Sequence, residues 1–265
     1  SDILMVPFAL GQKVEFVTNM RPKLGKLDLT IFANNNKNSF IRKLQPVYEA
    51  IRITRKKLNK EKSLIGFIGA PWTLLVYMMD SKLNKNELNY KKIKSKGNEI
   101  DLILKKLNDY LLIHIKNQID AGADTIQIFD SWAGLIKPED FTNYCIKPNS
   151  ILVDFCKKKK IPVICFPKGI GKKYKKFNDM VKPDGLNIDY DIDPDWAKKN
   201  LKDVVIQGGL DPKLLLNSDE EIKSNTKRYL DIFKETPYIF NLGHGLLPET
   251  DPDKVKKLIK FYRDY

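Results

Sequence analysis

The sequence has few of the residues that form disulfide bonds or bind metals. Only three cysteines and two histidines occur among its 265 residues, and no two cysteines have the CxxC spacing. An odd number of scattered cysteines argues against a disulfide framework and is typical of a reducing compartment. No run approaches the roughly 18 uninterrupted apolar residues of a membrane span. The first residues carry no basic flank before their apolar stretch, so we expect neither a membrane span nor a signal peptide.

The composition is that of a globular protein with an excess of basic residues. Hydrophobic residues make up 42% and charged residues 30%, and 47 Lys and Arg against 33 Asp and Glu give a formal charge of +14. Such an excess suits a nucleic acid, an acidic membrane surface or a polyanionic small substrate. The lysine runs at 157–160 and 172–176 have no aromatic platform beside them. We therefore interpret these runs as solvated helix faces and expect no nucleic-acid partner.

Short apolar runs rich in β-branched residues alternate with helical patterns along the chain. Six such runs are clear, at 63–69, 125–129, 161–166, 185–189, 204–207 and 238–242. Near-continuous apolar runs are typical of parallel strands covered on both faces. Strand–helix units in series predict an α/β fold, and this number favours a (β/α)8 barrel over an open doubly wound sheet. The apolar residues 3–6 predict a seventh strand.

Several helices are predicted between these strands. Residues 99–121 have apolar positions at helical spacing, with Gly122 at the place of a C-terminal cap. Other helices are expected at 47–58, at 138–159 and after the pairs Asp193–Pro194 and Asp251–Pro252. Ser218 and Glu221 have the spacing of a capping box. Residues 13–17 and the Asn-rich stretch after them interrupt the rhythm, but no linker or change in composition divides the chain, so we expect one domain over residues 1–265.

Polar residues follow the predicted strands where each strand ends. In an α/β barrel the catalytic groups sit at these carboxyl ends. The candidates there, together with one at the start of the chain, are Asp2, Asp130, Ser131, Lys168, Asp189 and His244. The pattern alone indicates a pocket with carboxylates, a hydroxyl and an imidazole, and it leaves the reaction open.

Five segments together resemble one enzyme family. They are SDILMVPFALG (1–11), GFIGAPWTLLVYM (66–78), AGADTIQIFDSWAG (121–134), QGGLDP (207–212) and NLGHGLLPETDP (241–252). These segments closely resemble the motifs of the uroporphyrinogen decarboxylases, occur in the same order and span nearly the whole chain.

The resemblance implies a (β/α)8 barrel that removes the carboxyl groups from the four acetate side chains of uroporphyrinogen III, giving coproporphyrinogen III. It implies no metal or organic cofactor, a cytoplasmic location and a homodimer with facing active sites. Carried over position by position, the pyrrole-binding aspartate is Asp2 and the active-site tyrosine is Tyr77. Ser131 and His244 take the places of residues that contact the substrate.

The sequence departs from the family pattern at its start. The family begins upstream with a first strand and an arginine-rich Met-Arg-Gln-Ala-Gly-Arg loop that binds substrate carboxylates, and residues 1–265 contain no such segment. The resemblance therefore implies an N-terminally incomplete barrel that lacks the first strand and its loop. An inactive fragment is an alternative under this interpretation. The proton donor is open between an arginine of that loop and Asp2 acting through the substrate.

Two kinds of metal site, a zinc site and a calcium loop, do not fit the sequence. Corrinoid or coenzyme M methyltransferases bind zinc through a His-x-Cys pair and a distant cysteine, but neither His114 nor His244 begins such a pair. His114 lies on the apolar face of a predicted helix, which indicates a core histidine. The aspartates at 189, 191, 193 and 195 resemble a calcium loop that lacks its glycine, since Pro194 stands there, and its glutamate, since Asn200 stands there. A strand end followed by a helix cap explains these aspartates.

Overall fold

The strands of the protein are short and are evenly distributed along the chain. A computed structural model describes residues 2–15, 23–84 and 86–265. In chain order the strands in these ranges are β1 (Val14–Glu15), β2 (Lys23–Leu24), β3 (Ile65–Gly69), β4 (Lys82–Asn84), β5 (Glu87–Leu88), β6 (Thr125–Asp130), β7 (Val163–Pro167), β8 (Gly185–Ile188), β9 (Val205–Gly208) and β10 (Tyr238–Ile239).

The helices alternate with these strands. They are α1 (Met5–Ala9), α2 (Leu29–Asn34), α3 (Lys37–Lys57), α4 (Pro71–Met78), α5 (Tyr90–Lys94), α6 (Glu99–Asp120), α7 (Lys147–Lys158), α8 (Lys173–Val181), α9 (Pro194–Asn200), α10 (Asp219–Phe233) and α11 (Pro252–Arg263). The sequence-predicted caps at Asp193, Ser218 and Asp251 are confirmed, because each side chain accepts a hydrogen bond from a backbone N–H of the following helix.

The central sheet contains six parallel strands in the order β3-β6-β7-β8-β9-β10. Each strand pairs with the next strand of this series along the chain, and a helical segment connects the two. This consecutive order is that of a barrel wall, whereas a doubly wound sheet reverses its order in the middle. All six strands predicted from the sequence are therefore confirmed. Their carboxyl ends face one edge of the sheet, which we call the carboxyl rim.

The prediction of a seventh strand at residues 3–6 is wrong. A turn at Ile3 and Leu4 leads into the short helix α1. Asp2 starts this turn, because its backbone carbonyl accepts the N–H of Met5 at 3.1 Å. Pro7 is tolerated because the first turn of a helix needs no N–H from that position. The pattern of apolar side chains buries one face of the helix against the core, so tertiary packing selects the helix here.

Two predicted helices have different bounds in the structure. The helix expected at 47–58 begins ten residues earlier, at Lys37, where the Asn36 side chain caps the N–H of Ser39. It continues through Pro46 because Phe40 and Leu44 are fully buried on one face. The helix expected at 138–159 is divided into a 3₁₀ turn (Pro138–Asp140), a π-helical turn (Thr142–Ile146) and α7. Of the excursion predicted at 13–17, Val14 and Glu15 pair with β2, and residues 16 and 17 lie outside the described residues.

The core fills the space between the sheet and its helices. Its largest fully buried side chains include Trp72, Phe141 and Phe177, and burying a large apolar side chain contributes about 1.5–3 kcal/mol. His114 is buried among them and its Nδ1 shares a 3.0 Å hydrogen bond with the Tyr48 hydroxyl, which confirms the prediction of a core histidine. No helix in the described part of the chain is long and apolar enough to cross a membrane.

Candidate functional site

The four side chains that the sequence singled out each lie on a segment at the carboxyl rim. Tyr77 is on α4, the helix that follows β3, and Ser131 comes directly after β6. His244 follows β10. Asp2 is far from these strands in sequence, but the neighbouring Ile3 packs on Gly69 at the carboxyl end of β3, where an added side-chain carbon would lie 3.2 Å from the Ile3 Cβ. All four residues thus lie along the same edge of the sheet.

Asp2 is half-buried and its carboxylate is held by its own turn. The Leu4 backbone N–H donates to Asp2 Oδ1 at 2.8 Å. With this bond the aspartate side chain caps its own turn, which is a common structural role of aspartate. It also orients the carboxylate, and the acceptor capacity of a carboxylate exceeds one bond. The geometry therefore combines a local structural role with an acceptor at the rim.

Tyr77 is the half-buried residue in a helix that is otherwise buried. The other seven residues of α4 are buried in the core. The Tyr77 ring meets the Trp132 ring edge to face, with centroids 5.9 Å apart at 73°. On the Trp132 ring lies the ammonium of Lys82, 5.1 Å from the centroid. Trp132 and Lys82 are rim residues that were not singled out as site residues from the sequence.

Ser131 sits in a turn that is held from two sides. Its predecessor Asp130 is 1% exposed and its successor Trp132 is 9% exposed. The Trp132 carbonyl accepts the indole N–H of Trp72 at 3.1 Å, and the Trp132 backbone N–H donates to Thr73 Oγ1 at 3.2 Å. Both peptide bonds of the turn are thereby fixed to the first turn of α4. Ser131 itself is half-buried and lies at the carboxyl rim.

His244 is exposed, and the glycines around it explain its position. Gly243 lies so close to the backbone that follows β8 that an added side-chain carbon would be 2.5 Å from the Tyr190 nitrogen. The N–H of Gly245 donates to His244 Nδ1 at 2.6 Å. Because Nδ1 accepts, the proton of the neutral imidazole is on Nε2. His244 can therefore offer an N–H donor to an anionic group.

Asp189 joins the loops that follow β7 and β8. Its Oδ2 accepts the Gly169 N–H at 2.6 Å and the Tyr174 hydroxyl at 3.1 Å, and the residue is 1% exposed. Burial and the Asp189 carboxylate hold the pKa of Tyr174 well above its usual range, so this phenol stays a donor. The interpretation of the aspartates at 189–195 as a strand end and a helix cap is confirmed, since Asp193 caps α9 through the N–H of Trp196.

The titratable groups of the site and the core differ in charge. Burial raises the pKa of Asp130 to about 6, although the donors Thr73 and Asn149 lower it. Burial lowers the pKa of His114 to about 4, so this histidine is neutral near pH 7. Within the ranges that the structure describes, no group of three or more His, Cys, Asp or Glu side chains is arranged to hold a metal ion. The three cysteines are buried free thiols.

Comparison with known proteins assigns the family. The family profile described as uroporphyrinogen decarboxylase (URO-D) matches residues 1–265. A uroporphyrinogen decarboxylase of Orientia tsutsugamushi (strain Boryong) is 41% identical over 271 residues, covering 100% of this chain and 78% of the relative. One of Rickettsia bellii (strain RML369-C) is 39% identical over 272 residues, covering 100% of this chain and 79% of the relative.

Solved structures support the fold class. A methyltransferase from Methanosarcina mazei superposes with a TM-score of 0.77 at 20% identity, covering 98% of this chain and 77% of that protein. At this identity the likeness concerns the fold alone. Together with the family match it confirms the predicted α/β barrel class. The profile and the two relatives extend along the whole chain, and the chain belongs to the uroporphyrinogen decarboxylase family.

Proposed function

We propose that this protein catalyses the decarboxylation of the four acetate side chains of uroporphyrinogen III, giving coproporphyrinogen III. The observation that carries the proposal is the placement of Asp2, Tyr77, Ser131 and His244 along one carboxyl rim in a chain of this family. In α/β barrels this edge is where catalysis takes place. The reaction needs no metal or organic cofactor in this proposal.

The chemistry requires a place for the electron pair of the bond that breaks. Protonation of the ring carbon next to the one that bears the acetate arm converts the pyrrole into an iminium-like cation that is conjugated with that arm. The bond between the methylene carbon and the carboxylate then breaks, CO2 leaves, and its electron pair neutralises the iminium. A second proton adds to the methylene carbon, and the proton on the ring carbon is lost. Each arm thus exchanges a carboxylate for hydrogen and becomes a methyl group, with one proton consumed overall.

Asp2 is the residue that we assign to the developing cation. A carboxylate accepts hydrogen bonds and donates none, so it suits pyrrole N–H groups that converge on one centre. Its orientation by the Leu4 N–H means that little reorganisation accompanies the charge that develops in the transition state. Preorganised electrostatic partners of this kind contribute about 3–4 kcal/mol to catalysis.

The other three residues bind and orient the substrate in this proposal. Tyr77 positions or polarises the acetate arm, and the Tyr77 ring is held by its edge-to-face contact with the Trp132 ring. Ser131 donates its hydroxyl to a side-chain carboxylate. His244 does the same through Nε2, because its Nδ1 already accepts the N–H of Gly245. The cations Lys82 and Lys168 at the rim, and the net charge of +14, favour an anionic substrate.

Domain organisation, assembly and location complete the proposal. Residues 1–265 act as one domain, two copies associate as a homodimer, and the protein works in the cytoplasm without a nucleic-acid partner. The buried thiols agree with a reducing compartment. Gel filtration with light scattering tests the dimer, and a mass of one chain at working concentration would contradict it.

The activity is tested by incubating the purified protein with uroporphyrinogen III under anaerobic conditions, since the reduced macrocycle oxidises readily. Chromatography should detect products with seven, six, five and then four carboxyl groups. Metal analysis of the same sample should find no stoichiometric zinc. Absence of any loss of carboxyl groups together with one tightly bound zinc ion per chain would favour a methyltransferase and contradict the proposal.

A further inference from the structure

A buried carboxylate lies directly beneath the turn that carries Ser131. Asp130 is the last residue of β6 and is 1% exposed. Its Oδ1 accepts the Thr73 hydroxyl at 2.7 Å, and its Oδ2 accepts Asn149 Nδ2 at 3.2 Å. The two donors come from α4 and α7, so this carboxylate joins three elements at the carboxyl rim.

Thr73 transmits the position of this carboxylate to the turn. A hydroxyl has one proton, and here Asp130 takes it. The Thr73 oxygen is left as an acceptor, and the Trp132 backbone N–H donates to it at 3.2 Å. Ser131 lies between Asp130 and Trp132, so both of its neighbours are held by the same hydrogen-bonded group. Tyr77 lies four residues after Thr73, about one turn along α4, and contacts the Trp132 ring.

Asn149 is brought to Asp130 by an irregular segment. The π-helical turn Thr142–Ile146 directly precedes α7, and Asn149 Nδ2 also donates to the Cys145 carbonyl at 2.9 Å. Single π turns occur frequently at functional sites. The Trp132 indole N–H is buried and has no acceptor among the described residues. An irregular helix, a buried acid and a buried donor therefore meet around one short turn.

A packing role does not explain this arrangement. Burying a carboxylate is costly, and apolar residues of similar volume pack a core at least as well. The cost is visible in the pKa of Asp130, which burial raises to about 6. A group of this kind is retained where its hydrogen bonds define a geometry that apolar contacts cannot.

We propose that Asp130 is a positioning residue, whose carboxylate acts through Thr73 to fix the Ser131–Trp132 turn in the orientation that binds the substrate. This inference rests on the proposed function, because the substrate in question is the tetrapyrrole. Asp130 touches the turn and not the reacting atoms. It determines where the Ser131 hydroxyl and the face of Trp132 are presented.

The test compares two substitutions at Thr73. Thr73→Val keeps the shape of the side chain but removes the hydroxyl, whereas Thr73→Ser keeps the hydroxyl and removes a methyl group. Thr226→Val is the matched control, because Thr226 is buried like Thr73 (1% and 0% exposed) and its hydroxyl donates within α10 to the Ile222 carbonyl. Asp130→Asn and the double variant with Thr73→Val complete the set.

Two readouts are taken for each variant. The first is anaerobic turnover, resolved into kcat and KM. The second is binding of uroporphyrin, the oxidised and unreactive macrocycle, followed by quenching of tryptophan fluorescence. We expect Thr73→Val to raise KM and the Kd for uroporphyrin about tenfold with a smaller change in kcat, as for loss of ground-state binding. Thr73→Ser and Thr226→Val should stay within about twofold of the unsubstituted protein. The double variant should be no worse than the more affected single variant, since residues of one network are not additive.

The outcomes separate this inference from the proposed function. If the unsubstituted protein binds uroporphyrin but converts no uroporphyrinogen, the proposed function fails, and the binding series still decides the role of Asp130. If it is active and Thr73→Val binds and turns over like Thr73→Ser, the positioning role is wrong. If it neither binds nor converts the macrocycle, both proposals are wrong. Asp130→Asn enters the comparison only if it unfolds cooperatively, and the Thr73 pair gives the decision otherwise.

Discussion

Strands β6 and β8 each carry an aspartate at both ends, and the two ends differ. At the amino end, the Asp124 carboxylate accepts the Leu64 N–H at 2.7 Å and the Asp184 carboxylate accepts the Val163 N–H at 3.0 Å. Both link the start of one strand to the start of its neighbour, and both are exposed. At the carboxyl end, Asp130 and Asp189 are 1% exposed and hold loops rather than strands. The same residue type thus aligns the sheet at one end and orients the site at the other.

The two ends also differ in the charge that they present. Between α8, α9 and the starts of β8, β9 and β10 lies a cleft of about 1010 Å³ lined by five lysines, Lys157, Lys175, Lys182, Lys198 and Lys202. Three aspartates lie among them, and Lys175 pairs with Asp179. The carboxyl rim instead has carboxylate, hydroxyl and imidazole groups together. Positive charge alone would favour the cleft, whereas the chemistry of the reaction favours the rim.

The largest expected effect is at Asp2. Asp2→Asn keeps the size of the side chain but removes its charge and offers a donor where an acceptor is needed. Turnover should fall about 100- to 1000-fold, the range for removing one preorganised electrostatic partner. KM should change less, because the charge develops mainly in the transition state. The measurement is anaerobic coproporphyrinogen formation. Retention of more than about half of the activity would assign the central role to another group.

The next effect is on the free energy of unfolding, whose pH dependence has opposite signs for Asp130 and His114. The folded pKa of Asp130 is raised from 3.8 to about 6, so its stabilising contribution is complete below about pH 4 and is lost as the pH rises through 6. The change amounts to roughly 3 kcal/mol at most. The folded pKa of His114 is lowered from 6.5 to about 4. Its contribution to stability therefore has the opposite pH dependence and increases as the pH rises from about 4 to 6.5. The neighbouring thiols Cys145 and Cys165 have pKa values raised by burial and stay neutral throughout.

Denaturant unfolding between pH 4 and pH 7 tests this difference. The free energy of unfolding of Asp130→Asn, relative to the unsubstituted protein, should rise with pH across this window. His114→Gln should show the reverse trend, because it removes the contribution that grows with pH. Parallel pH profiles for all three proteins would mean that neither group titrates in the folded state as its burial requires.

Smaller losses of activity are expected at Tyr77 and His244. Tyr77→Phe and His244→Asn each remove one of many contacts to the substrate. We therefore expect a loss of about tenfold in kcat/KM, which corresponds to about 1.4 kcal/mol. His244→Gln is a useful companion, since its amide can replace the donor that Nε2 supplies. Steady-state kinetics under anaerobic conditions provides the comparison. Complete loss in His244→Asn with a mild effect in Asp2→Asn would reverse the assigned roles.

The smallest effect on activity is expected at the amino end. Asp124→Ala removes the acceptor of the Leu64 N–H and the partner of Arg55, whose Nη1 lies 2.6 Å from Asp124 Oδ2. The ion pair is partly exposed, so the loss of stability should be about 1 kcal/mol. The thermal midpoint should fall while kcat and KM stay within about twofold. A change in KM larger than that of Thr73→Val would show that the two ends are not separate in function.

The sequence predicted most of the sheet and little of the network around the site. Parallel strands are near-continuous apolar runs, and this signal is local, so all six were found. Residues 3–6 were assigned wrongly because four apolar residues fit a strand or a helix equally well. The start of α3 was missed because Pro46 is a local helix breaker, and the burial of Phe40 and Leu44 that outweighs it is a tertiary effect.

The rim residues show the same limit. Asp2, Tyr77, Ser131 and His244 were chosen by resemblance to family motifs, and their roles stay predictions. Thr73 and Asn149 were not singled out, although a threonine inside the apolar helix α4 is the kind of buried polar residue that needs a partner. That partner, Asp130, is 57 residues away in sequence. Periodicity and composition carry no information about contacts over such a separation.

The most direct test of the proposed site is a structure of the protein in complex with coproporphyrinogen, prepared anaerobically. We expect the macrocycle to lie at the carboxyl rim, with its pyrrole N–H groups directed at the Asp2 carboxylate and with Tyr77, Ser131 and His244 around its edge. A macrocycle bound in the lysine-lined cleft at the amino ends of β8, β9 and β10, with the rim empty, would contradict it.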